Sequence, residues 1–171
     1  MAKVKGLNKV LKQLKKFGVE AEKEIAGATS DAAQEIATNA KILAPKNFGD
    51  LSQQIRPQKV DELNYNVVAG ASYSAYVEFG TGRKFRAPKE LSALASEFKG
   101  KGGGFKDGLQ SIKDWCKAKG IEESAAYPIF ISILNNGTRP QPFLYPSWKK
   151  GQKQYVKDLK NLLKLLTAKY N

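Results

Sequence analysis

Leu63-Asn64-Tyr65-Asn66-Val67-Val68-Ala69 places apolar side chains at 63, 65, 67 and 69, with asparagine or a second valine between them. A period of two is the pattern of a strand with one buried face. Upstream the period is different. Phe17, Ala21, Ile25, Ala28, Ala32, Ile36, Ala40 and Leu43 recur every three or four residues, one stripe of an α-helix. Pro45 ends that helix because it disfavours helical geometry at Ala44. The change of period between residues 43 and 63 sets the fold class, α+β. Gln53 to Val60 reads as the partner strand, turning through Asp61-Glu62. Gly18 reads as a break between a short basic helix, with Leu11 and Leu14, and the long one. The type of the apolar-aromatic element Tyr73 to Phe79 is left open by its composition.

Downstream, residues 83–138 read as a helical insertion. Pro88 suits the start of a helix carrying Leu91, Leu94 and Phe98, with Gly100 as its stop. Asp107 suits the cap of a second helix bearing Leu109, Ile112 and Trp115, with Gly120 after its end. Ser124 suits the cap of a third, Tyr127 to Leu134, with Pro128 in its first turn. Gly100-Lys101-Gly102-Gly103-Gly104 reads as a linker by composition. The three prolines of Pro140-Gln141-Pro142-Phe143-Leu144-Tyr145-Pro146 predict an extended run. It leads into a last amphipathic helix with Trp148, Tyr155, Leu159, Leu162, Leu166 and Tyr170 on one side. Leu165 falls off that stripe and is positioned to face a partner.

Composition excludes much chemistry. The 171 residues contain no histidine and one cysteine, Cys116, so Ser-His-Asp sites, Cys-His sites and His-ligated zinc are ruled out. Neither a P-loop nor a GxGxxG fingerprint occurs. Asp61, Glu62 and Glu78 are the carboxylates considered for acid–base work, but the first two sit in a turn, where carboxylates are ordinarily solvated. Cys116 has no histidine to activate it and reads as a packed thiol. No enzyme, cofactor or metal is expected. The start, Met1-Ala2-Lys3-Val4-Lys5, has no apolar core of a secretory signal, and no stretch is apolar enough to span a bilayer.

The formal charge is +13, unevenly spread. Residues 61–82 carry three acidic groups and no basic one, whereas residues 139–171 carry a net +7. Lysines interspersed with Tyr155 and Tyr170 suit contact with a phosphate backbone or an acidic partner, as well as a plain solvated face. Arginine is scarce (Arg56, Arg83, Arg86, Arg139), which argues against base readout. A monomeric non-specific nucleic-acid-binding protein is therefore the competing reading.

Tyr73-Ser-Ala-Tyr-Val-Glu-Phe-Gly-Thr-Gly82 resembles the signature of a tail-component family from long-tailed double-stranded DNA phages. These are the neck or tail-completion proteins of the Hong Kong 97 gene-product-ten type. The order of motifs is similar too: Ala40-Lys41 and Ala44-Pro45; Gly49, Leu51 and Ile55; Tyr76, Val77, Glu78, Phe79, Gly80 and Thr81; then Pro142, Phe143, Leu144 and Pro146. The resemblance spans roughly residues 5–82 and 139–170. It implies a core domain made of residues 1–82 and 139–171, with residues 83–138 as an insertion subdomain between Thr81 and Arg139. It implies a small antiparallel sheet packed by long N- and C-terminal helices. It also implies a structural virion protein at the head–tail joint (a head–tail connector), part of an oligomeric ring. Its partners would be copies of itself and other neck and tail proteins; the basic charge adds a passing contact with genomic DNA, and the hydropathy no membrane. It would be located in the virion and assembled in the host cytoplasm. Asn136-Gly137-Thr138 echoes Phe79-Gly80-Thr81. Glu78, the one charge in an apolar run, needs a partner: Arg83 or Arg139, within the chain or across a subunit boundary, or else a local turn that it caps.

Overall fold

The computed structural model describes residues 7–46, 50–98 and 105–170. Its elements in chain order are α1 (Leu7–Leu43), α2 (Asp50–Gln53), β1 (Ile55–Lys59), β2 (Tyr65–Ala69), α3 (Ser74–Phe79), α4 (Ser92–Ser96), α5 (Phe105–Ala118), α6 (Ala126–Asn136) and α7 (Leu144–Tyr170). Short 3₁₀ turns occupy Gly82–Lys84, Lys89–Leu91 and Glu123–Ala125. The class is α+β: two long helices with one two-stranded antiparallel sheet.

Helix α1 is unbroken through Gly18, contrary to the expected separation. A mid-helix glycine costs about 1 kcal/mol, and the helix formers around it outweigh that. Its inward stripe follows the expected one from Ala21 to Ala40, with Ile25, Ala28 and Ala32 only half-buried, and is widened by the buried Ala33 and Ala37. Leu43, at the last turn, is 52% exposed, and Leu11 and Leu14 are exposed as well. Ala37, Ala40 and Ala44 pack with Leu51, Ile55, Ala71 and Phe143 into the central core, with Val67, Ala69, Val77 and Leu144 against it.

The strands pair Ile55 with Ala69, Pro57 with Val67 and Lys59 with Tyr65. The inner face therefore carries Ile55, Val67 and Ala69, and α1 lies across it. The strands are shorter than expected because the turn is longer. Asp61 accepts the Leu63 N–H at 2.8 Å and two bonds from the Asn64 side-chain amide, which fixes residues 61–64 as a polar loop. Leu63 is thereby drawn out of the strand and left 43% exposed.

Helix α7 runs antiparallel to α1. Gly151 sits against Ile36, Tyr155 hydroxyl lies 2.7 Å from Thr29 Oγ1, and Phe17 meets Tyr170 edge-on at 5.4 Å. At the far end Lys169 and Tyr170 both donate to Glu20. A Cβ on Gly151 would fall 2.2 Å from Ile36 Cγ1, so only glycine allows this approach. Leu165 is 70% exposed, off the packed stripe.

Within the insertion, α5 and α6 pack on each other through Phe130, which meets Phe105 edge-on at 4.9 Å and touches the bare face of Gly108. Cys116 is fully buried beside them. Pro88 precedes a 3₁₀ turn rather than opening the helix, and α4 follows that turn. Asp107 lies inside the first turn of α5, which begins at Phe105, so it is not the cap. Ser124 likewise lies inside a 3₁₀ turn; Ala125 precedes α6 with no side-chain cap bond. Gly49 and the stretch Gly100 to Gly104 lie outside the described residues.

Candidate functional site

The two halves of the motif run come together as a single joint. Ser74–Phe79 form α3, with Tyr73 preceding its first turn, which settles the element left open by composition. Glu78 on α3 is 7% exposed, and both of its carboxylate oxygens face the start of α7. Phe143 and Leu144 donate their backbone N–H groups to Oε2 at 2.8 and 2.9 Å, and Tyr145 donates to Oε1 at 2.9 Å. Helix N-termini leave four N–H groups without intrahelical acceptors. With Leu144 as the first helical residue, those four positions are 143, 144, 145 and 146. Three are held by Glu78 and the fourth is Pro146, which has no N–H. The first turn of α7 contains no acidic residue, so Glu78 also supplies the negative charge that the positive end of the helix dipole favours.

This corrects two expectations. The chain is not extended through Pro146, because Glu78 starts the helix at Leu144. Arg83 and Arg139 are not the partners of Glu78 within the chain: both are exposed, and among the described residues neither forms an ion pair with it.

The remaining motif residues close the joint. Phe79 and Phe143 are 5% and 1% exposed, pinned in the core. Val77 accepts the Gln141 N–H through its carbonyl at 2.8 Å, and Tyr76 accepts the Gly80 N–H at 2.9 Å. Thr81 N–H donates to the Thr138 carbonyl at 3.1 Å, and Thr138 N–H donates to Thr81 Oγ1 at 2.8 Å. The echo between Gly80-Thr81 and Gly137-Thr138 is structural. Both glycines end a helix at φ +72°, and the two threonines meet with hydroxyls 3.0 Å apart. Ser147, 1% exposed, donates to the Phe143 carbonyl at 2.6 Å. Pro142 is exposed and Pro146 half-buried.

Because the joint brings both ends of the insertion together, its removal is a direct test. Replacing residues 84–136 with a short Gly/Ser linker, while keeping Gly137 and Thr138, is expected to preserve a cooperative thermal transition. Doubling a loop's length changes its closure cost by only about 0.6 kcal/mol. Loss of all folded signal would contradict the division into core and insertion.

Beside the joint opens a cleft of about 1020 Å³. Its walls are α1 (Ala32, Ile36), the whole of β2, α7 (Tyr145, Trp148) and, from the insertion, Leu91, Leu94 and Phe98. β2 faces it with an open edge. Gly70 N–H bonds the Gln54 carbonyl and Val60 N–H bonds the Asn64 carbonyl, which fixes the alternation of the ladder. Tyr65, Val67 and Ala69 therefore aim their N–H and C=O groups away from β1. The outer edge of β1 is blunted by Pro57, which has no N–H to offer. One edge of the sheet is blunted; the other is open at Tyr65 and Val67, while the Ala69 carbonyl accepts the Ser74 hydroxyl at 3.2 Å.

At the rim, Lys149 bonds Glu90 at 2.7 Å and the Tyr145 hydroxyl donates to the same carboxylate. The Lys149 bond, and after it the Tyr145 bond, hold the Glu90 carboxyl below its ordinary range; Lys149 and Tyr145 are raised in return. A carboxyl lowered by folding contributes above its unfolded pKa and loses that contribution as pH falls through the lowered value. An NMR titration of Glu90 is expected to inflect below free glutamate, and Lys149→Met to move it back up. An unchanged inflection in the variant would contradict the tie.

The cleft, the open edge and the Glu78 cap were not read from the sequence. The cap left one usable signal: a helix opening with proline in its first turn and no acid there requires an acceptor from elsewhere.

Among the described residues no helix is long and apolar enough to cross a membrane. Residues 8–80 match the family model described as "Bacteriophage HK97-gp10, putative tail-component". The match runs from α1 to the glycine that ends α3. No curated protein and no solved structure matches the chain.

Proposed function

From the match of residues 8–80 to this bacteriophage tail-component family, we propose that the chain is a structural subunit of the phage neck. In this reading it completes the tail at the head–tail joint by assembling into a ring with copies of itself and with neighbouring neck and tail proteins. It acts through shape, not catalysis, in the virion after assembly in the host cytoplasm.

The observation that carries the reading is the cleft with its open strand edge. A ring contact joins two different surfaces head to tail. A sheet with one blunted edge and one open edge is polar in that sense. The open edge lies in an apolar recess of about 1020 Å³, room for an inserted segment of an adjoining copy. Exposed Trp148 and Leu94 on the cleft walls add apolar area to that contact. The joint supports the reading in another way: the motif's buried charge is engaged in starting α7, not left free for a reaction.

Two substitutions test it. Val67→Pro removes an N–H that faces away from β1, and Trp148→Glu places a charge on the cleft wall. Each is expected to keep a cooperative thermal transition and to lower the oligomer fraction in light scattering. Full assembly of both variants would overturn the cleft as the contact.

A further inference from the structure

Helix α7 has a second face whose composition the assembly reading does not use. Lys149, Lys150, Lys153, Lys157, Lys160 and Lys164 fall within about 100° of arc on the helical wheel. That arc lies opposite the side carrying Gly151, Leu162 and Leu166, which packs toward α1. Lys150, Lys153, Lys157, Lys160 and Lys164 follow one another at spacings of 3, 4, 3 and 4, a nearly straight row about 21 Å long. All five are exposed, and none takes part in an ion pair among the described residues. Lys149 is held by Glu90. The single acid of α7, Asp158, borders a groove shared with α1, and Glu35 of α1 shares a shallow depression with Lys149, Lys150, Lys153 and Lys157 without forming an ion pair with any of them.

The contrast with α1 makes this informative. A solvated helix mixes its charges, as α1 does from residue 20 onward with Lys23 among Glu20, Glu22, Glu24 and Asp31, although its first two turns carry lysines alone. On α7 the lysines stand three and four apart, where like charges repel. The face also lacks an anchor for a protein partner: no aromatic residue lies on it, and lysine is depleted from the centres of protein interfaces. Point charges on flexible stems, with no planar fork to read bases, suit a phosphate backbone.

We propose that the outward face of α7 is a contact surface for the backbone of duplex DNA, independent of sequence. This rests on the helix face alone and stands or falls separately from the assembly reading.

The test is fluorescence anisotropy of the full chain on two duplexes of unrelated sequence, from about 50 to 200 mM salt. The expected result is equal affinity for both. With five to six phosphates neutralised, log K against log salt should have a slope of about −5, and affinity should fall roughly a thousandfold across that range. The triple variant K153E/K157E/K160E is expected to flatten the slope by about 3, with K153Q/K157Q/K160Q as a milder version if the first is poorly folded. K12E/K16E/K23E makes the same change in net charge on α1 and is expected to leave the slope within about one unit. An equal loss in the α1 variant would overturn the assignment to this face. So would preference for one duplex. Binding of polyglutamate that depends on the α7 lysines, with no binding of duplex at low salt, would overturn it in favour of an acidic protein partner.

Discussion

Glu78→Ala is expected to destabilise the fold by about 4 kcal/mol, since leaving a buried donor unmade costs about 1–3 kcal/mol and three donors lose their acceptor. Leu144 and Tyr145 are only half-buried, so water recovers part of the loss there. Phe143 N–H sits beside a side chain only 1% exposed and recovers little. The effect also removes a charge from the start of a 27-residue helix. For a chain of this size it corresponds to a fall in Tm on the order of 10 °C. Glu78→Gln keeps one acceptor oxygen and is expected to cost about half as much. Thermal unfolding followed by circular dichroism measures both. A shift of under about 0.5 kcal/mol for Glu78→Ala, the range of ordinary surface changes, would show that α7 starts without this cap.

Gly137→Ala is expected to be nearly as damaging, for a different reason. Gly137 has φ +72° and ψ 169°, a region in practice reserved to glycine. A Cβ there would fall 1.9 Å from the Thr81 carbonyl oxygen, which is backbone and cannot step aside without breaking the Thr81–Thr138 bonds. Strain and clash together are worth about 3 kcal/mol or more. Gly120→Ala separates the two causes. Its φ is +67°, but nothing lies within 4 Å of the new methyl, so only the strain of about 1–2 kcal/mol is expected. Urea denaturation compares the pair. Equal losses would mean that the contact with Thr81 does not hold the two strands of the joint together.

These two residues also show how far the sequence could be read. Spacing alone located α1, β2 and α7, because apolar periodicity reports the face that each element buries. It did not report where Leu63 goes. The pattern of two continues through residue 63, but Asp61 bonds the chain into a loop there and local hydrogen bonding overrides periodicity. Gly18 misled in the opposite direction: a single glycine is a weak breaker inside a 37-residue helix. Glu78 reads from the sequence as a buried charge in need of Arg83, Arg139 or a local turn to cap. Its partner is backbone at positions 143–145, far along the chain, and backbone donors carry no residue-type signal. Gly137 was noticed only as an echo of Gly80; its necessity depends on Thr81, far away in sequence. The cleft is formed by five separate segments and has no signature in any one of them.

The central claim is that this chain is built to assemble, and sedimentation velocity tests it most directly. The protein would be measured alone and mixed with any neck or tail proteins that neighbouring genes encode. The predicted result is a discrete species at a multiple of the 18.8 kDa chain mass, alone or on addition of a neighbouring component, and reduced by Val67→Pro. A single species at 18.8 kDa under every condition would contradict the account.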